Sequence, residues 1–152
     1  MELDKANLDI KKFLDLKDYR TEDRKSRRKE LKNEEFFTPY EIIKELADRI
    51  TPEIWADPNK TFLEPAAGNG QLVLYILYRR IVDYCIDWKQ ALNTTFALEL
   101  INDNIEELKQ RTRILLSNIT LDYNEQIANE IMDKNFRCGD FFKWNFEEWK
   151  EK

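Results

Sequence analysis

Histidine is absent from this sequence of 152 residues, and glycine, proline and cysteine are scarce, at three, four and two. Without histidine neither a Ser-His-Asp nor a Cys-His nucleophilic centre can be built, and zinc loses its usual nitrogen ligand. Cys85 and Cys138 offer no disulfide framework and no metal-ligand spacing, so no metal site is expected. No apolar run approaches the roughly 18 residues needed to cross a bilayer. The opening stretch MELDKANLDIKK carries acids and lacks the apolar segment of a secretory signal. A cytoplasmic protein without a membrane partner is the expectation. Its chemistry must come from carboxylates, backbone groups, aromatic rings or a borrowed cofactor.

What is present describes one globular domain. Hydrophobic residues at 42% are enough for a core, and 36% charged residues solvate its surface. The net charge of −5 argues against a domain that grips nucleic acid unaided, so DNA would be met weakly or through a partner. Arg24, Lys25, Arg27, Arg28, Lys29 and Lys32 form a local basic cluster, which reads as a solvated helix face.

Two regions follow from the pattern. Residues 1–35 form a charged helical extension, with a helix over about 4–18. Residues 36–152 form the domain proper. Thr38-Pro39-Tyr40-Glu41 spells a capping box with proline at the first helical position, opening a helix that runs to Ile50. Residues 51–60, with Pro52 and Pro58, read as a loop. Short strands are expected at 61–64, 95–98 and 135–138, and helices at about 71–84, 102–117 and 122–133. The aromatic C-terminus, with Phe141, Phe142, Trp144, Phe146 and Trp149, adds a final helical turn or two. Alternating strands and helices imply an α/β fold with three short parallel strands, and right-handed crossovers give the spatial order 3-2-1, a partial Rossmann-like sheet.

All three glycines follow a strand: Gly68, Gly70 and Gly139. Ligands of such sheets bind beyond the carboxyl ends of the strands, where Glu64, Glu99 and Asp140 gather. A dinucleotide's pyrophosphate prefers a loop free of negative charge with a third glycine, and here Glu64 precedes the loop. A carboxylate in that place suits a cation, such as the ammonium or sulfonium of S-adenosylmethionine. Glu99 then suits the ribose diol, and Asp140 an adenine amino group, with Phe141 or Phe142 against the ring. Each acid taken singly is equally a helix N-cap or a solvated strand end.

Four segments in order carry a family likeness: Phe36-Phe37-Thr38-Pro39, the run from Phe62 to Gly70 (FLEPAAGNG), Ala97-Leu98-Glu99-Leu100, and Cys138-Gly139-Asp140-Phe141-Phe142. Together they resemble the cofactor motifs of class I adenine-N6 DNA methyltransferases, especially those of restriction–modification systems and their phage-borne relatives, over residues 34–142. The resemblance implies a class I methyltransferase fold and a bacterial or phage-infected cytoplasm. It implies that Phe37, Thr38 and Pro39 line the methionine end of S-adenosylmethionine. Glu64, Pro65, Ala66, Gly68, Asn69 and Gly70 would hold the amino-acid portion, Glu99 and Leu100 the ribose, and Asp140 with Phe141 the adenine.

The family's catalytic motif, an Asn or Asp followed by Pro-Pro and an aromatic, has no counterpart, because the sequence contains no Pro-Pro. No catalytic residue is therefore assigned. The expectation is a split or truncated methyltransferase that needs a catalytic partner subunit, or a non-catalytic regulatory or decoy module that binds the cofactor. The first strand would keep a bare edge, to be covered by the N-terminal helix, the aromatic C-terminus, a second copy in a homodimer, or the partner.

Overall fold

The computed structural model of the protein describes residues 8–15 and 38–150. Phe36, Phe37 and the basic cluster at 24–32 lie outside the described residues. The elements run α1 (Ile10–Asp15), α2 (Tyr40–Asp48), α3 (Pro52–Ala56), β1 (Phe62–Glu64), α4 (Gln71–Tyr78), α5 (Trp88–Asn93), β2 (Thr95–Glu99), α6 (Asn102–Ile119), α7 (Glu125–Asn135) and β3 (Phe136–Cys138). Two 3₁₀ turns, Phe141–Lys143 and Phe146–Trp149, close the described chain.

The three strands pair in parallel in the order β1-β2-β3, with Glu64 beside Ala97 and Glu99 beside Cys138. This is the α/β sheet that strand–helix alternation implies, compatible with a partial Rossmann-like fold. Parallel register sets the side chains of Phe62, Thr95, Ala97 and Phe136 on one face. All four are buried, because both crossovers run in the same direction and their right hand brings the helices to that face. The opposite face carries Leu63, Phe96, Leu98 and Arg137. There the Trp149 ring meets Phe96 at 5.1 Å, and the Arg137 guanidinium lies 5.3 Å from the Trp144 ring. The C-terminal aromatics thus cover the β2–β3 part of this face. Leu63 of β1 stays 42% exposed, and among the described residues β1 pairs with β2 alone.

Several local expectations are corrected. Thr38 makes no capping box: Pro39 in extended conformation occupies the N-cap of α2, and no side chain caps it. Thr38 is displaced one residue too early to reach the first amides. Residues 51–60 contain a helix, α3, because Pro52 stands at its first turn where no amide is needed. Trp55 of α3 is fully buried and stacks on Phe62 at 5.4 Å. The helix expected over 71–84 is α-helical only to Tyr78 and continues as a π-helical turn, Arg79–Asp83. That turn carries Arg80, which is fully buried and donates to the carbonyls of Ala91, Asp57, Pro58 and Lys60 and to Thr94 Oγ1. Burial pushes its guanidinium down to about 10, which leaves it charged at neutral pH. Helix α5 lies where the sequence pattern gives no helix, and Asp87 caps it by accepting from the Lys89 and Gln90 amides. Among the described residues no helix is long and apolar enough to cross a membrane.

A candidate ligand cleft at the strand ends

Beyond β1 the chain turns through Pro65 to Gly70 and enters α4. Gly68 and Gly70 take positive φ, +56° and +97°, conformations that exclude most side chains. The turn is held from several sides. Ala67 donates its amide to the Leu98 carbonyl at 2.8 Å, and Gly70 to the Ala67 carbonyl at 2.9 Å. The Glu99 carboxylate accepts from the Gly68 amide at 2.6 Å and, through its other oxygen, from the Ile101 amide at 3.2 Å. From below, α6 reaches up with two charged side chains. Glu107 accepts from Asn69 Nδ2 at 3.3 Å, and Arg111 donates to the Asn69 carbonyl at 3.1 Å and to Gln71 Oε1 at 2.7 Å.

This loop, the start of α2 and the end of β1 enclose a cleft of about 130 Å³. Thr38, Glu64, Ala66, Gly68 and Asn69 line it, with Ile43, Leu46 and Leu72 as its apolar wall. Five of the residues expected to bind a ligand are therefore brought together. Gly70 lies behind them as the N-cap of α4, in left-handed conformation and with no side-chain cap. Glu99 sits at the flank as the loop's anchor. Pro39 and Pro65 are exposed beside the cleft elements.

The third strand end contributes differently. Asp140 accepts from the Phe142 amide and caps its own 3₁₀ turn, the N-cap role that a lone acid at a strand end can always take. Phe141 packs edge-on against Phe142 and Phe146 and is 38% exposed, while Leu100 is 69% exposed. None of the three lines the cleft. Phe37 lies outside the described residues.

Glu64 gives the cleft its chemical character. Burial raises the Glu64 carboxyl above the ordinary carboxylate range, the Ala66 amide partly offsets this, and the nearby Glu99 charge raises it further. Asn69 is buried, and its Oδ1 has no hydrogen-bond partner among the described residues. The folded state holds the Glu64 proton more tightly than the unfolded chain, so stability falls as pH rises from about 4.5 through the raised folded value. Glu64→Gln should remove that slope in thermal melts between pH 4 and 7 and leave the neutral-pH melting temperature equal or higher. A lower melting temperature would mean that the charge is compensated in the unliganded protein.

Sequence reasoning missed Glu107, Arg111 and Gln71. A signal existed: Glu107 and Arg111 are four residues apart and fall on the buried stripe of α6 with Ile105, Leu108, Thr112 and Leu115. Charges on an apolar stripe need a partner. Here they support the loop. Comparisons with protein-family models, curated proteins and solved structures return no match for the chain.

Proposed function

We propose that the cleft binds S-adenosylmethionine and that the domain is the cofactor-holding part of an adenine-N6 DNA methyltransferase-like protein with a class I methyltransferase fold. The observation that carries this reading is Glu64, a cleft-lining carboxylate destabilised by burial beside a glycine turn. Such a place is hostile to a pyrophosphate and favours a ligand with a cationic donor. The ammonium of the methionine moiety fits it, with its carboxylate toward the uncapped first turn of α4. Glu99 already spends both oxygens on backbone amides, yet a carboxylate has about four acceptor sites, so a ribose diol adds to these bonds without displacing them.

When bound, S-adenosylmethionine supplies an electrophilic methyl group on its sulfonium. The residues described here bind and orient it, and none of them stands as a group that would act on a target base. The sequence holds no Pro-Pro motif, so the groups that engage an extruded adenine come from outside these 152 residues, from a catalytic partner subunit in our reading. The same absence favours a second reading, a regulatory module that binds the cofactor without transferring its methyl group. A homodimer is the simplest self-assembly that would cover β1.

Equilibrium dialysis with radiolabelled S-adenosylmethionine, followed by incubation with adenine-containing duplex DNA, tests both parts. Saturable binding is expected, weakening as pH falls through the raised Glu64 value because protonation removes the charge that the ammonium needs. No label should enter DNA from this chain alone. Transfer that disappears in Gly68→Val would show that the chain carries its own catalytic groups, and absence of binding would overturn the cofactor assignment.

A further inference from the structure

Arg111 holds more than the loop. Besides donating to the Asn69 carbonyl and Gln71 Oε1, it donates to the Leu14 carbonyl at 3.2 Å, and its guanidinium lies 5.9 Å from the Phe13 ring. Leu14 lies on α1, and its carbonyl accepts from a guanidinium, a charge-assisted hydrogen bond stronger than a neutral one. Arg111 is 1% exposed, and Phe13 and Leu14 are each 4% exposed, so the junction is sealed from water. Gln71 extends the chain of contacts by donating to the Thr38 carbonyl at 3.4 Å, at the entry to α2. One guanidinium thus ties α1 to the turn that borders the cleft, although no described residue of α1 lines the cleft.

We propose that Arg111 is a positioning residue of the ligand loop, through which the docking of α1 and the binding of ligand in the cleft strengthen each other. The inference rests on the proposed cofactor site for its ligand, but the contact between α1 and the loop stands apart from that reading. With α1 docked, the guanidinium is held between three carbonyl-type acceptors and the Asn69 carbonyl cannot swing. With α1 undocked, the Leu14 acceptor and the Phe13 ring are lost, water enters, and the loop gains freedom that a ligand must then remove. Coupling of this kind is reciprocal, so a ligand that fixes the loop also fixes α1.

Two variants of the full chain, Phe13→Ala and Arg111→Lys, test this with S-adenosylhomocysteine as probe. Phe13→Ala undocks a peripheral helix and touches neither cleft nor loop. Arg111→Lys keeps the charge but cannot span three acceptors. Amide exchange is read at Phe13, bonded to the Asp9 carbonyl, and at Gly70 and Leu74, which report the loop and the first turn of α4. Each variant should weaken binding about tenfold, within the usual span of such couplings, and should speed exchange at Gly70 and Leu74. In the parent protein, ligand should slow exchange at Phe13. Fast exchange of the position-13 amide in Phe13→Ala, with parental exchange at Gly70 and Leu74, would overturn the proposal. Should the parent protein not bind the probe at all, the cofactor reading falls, and the exchange rates without ligand still decide whether α1 governs the loop.

Discussion

Replacing Gly70 with valine should lower the melting temperature by about 6 °C or more and abolish ligand binding. Gly70 holds φ at +97° as the N-cap of α4, and the carbonyl it presents accepts from the Leu74 amide at 2.8 Å. An L-residue in left-handed conformation costs roughly 1–2 kcal/mol, and a β-branched one lies at the upper end. A Cβ on Gly70 would also fall onto Leu108 Cδ1. Leu108 is fully buried on α6, so it cannot swing aside into solvent, and overpacking of this kind costs about 1–3 kcal/mol. The sum is about 3 kcal/mol or more, and a domain of this size loses roughly 2–4 °C per kcal/mol. Thermal denaturation followed by circular dichroism measures it. A melting temperature within about 2 °C of the parent would mean that the turn relaxes around a side chain, and that glycine is not required there.

Glu99→Ala should both loosen the glycine turn and weaken ligand binding. The substitution deletes the acceptor of two backbone amides, Gly68 in the glycine turn and Ile101 at the entry to α6. Hydrogen bonds to a charged group contribute about 1.5–3 kcal/mol each, and half-burial and exchange for water place the net loss at the lower end. In the proposed complex the same carboxylate accepts from a ribose diol, so the dissociation constant for S-adenosylmethionine should rise at least tenfold. Glu99→Gln keeps one acceptor oxygen and should fall between the two. A variant that melts early yet binds as tightly as the parent would confine Glu99 to anchoring the loop and remove the ribose contact from the account.

The sheet is the part of this fold that could be read most directly. Phe62–Glu64, Thr95–Glu99 and Phe136–Cys138 are short apolar runs, the first and third of them closed by a proline or glycine turn, and handedness orders them once they are parallel. Elements whose formation depends on burial were harder. Pro52 looks like a loop residue until Trp55 behind it is seen to be buried against Phe62. Arg80 carries no sequence signal for its place in the core, where five acceptors surround it. In the site, glycine placement and Glu64 were enough to locate the cleft. The supporting shell was not legible, because Glu107, Arg111 and Leu14 meet the loop only after α6 and α1 have packed. Asp140 and Phe141 follow the motif pattern but turn to local partners, and the cleft forms without them.

Backbone amide chemical shifts during titration with S-adenosylhomocysteine test the central claim most directly, since they report ligand and location together. The account predicts saturable shifts at Gly68, Asn69 and Gly70 and at Ile101, moved to at least tenfold higher ligand concentration in Glu99→Ala and weakened in Glu64→Gln. Unchanged spectra at millimolar ligand would contradict it. So would shifts confined to the separate cleft around Cys85, Trp88 and Asp122.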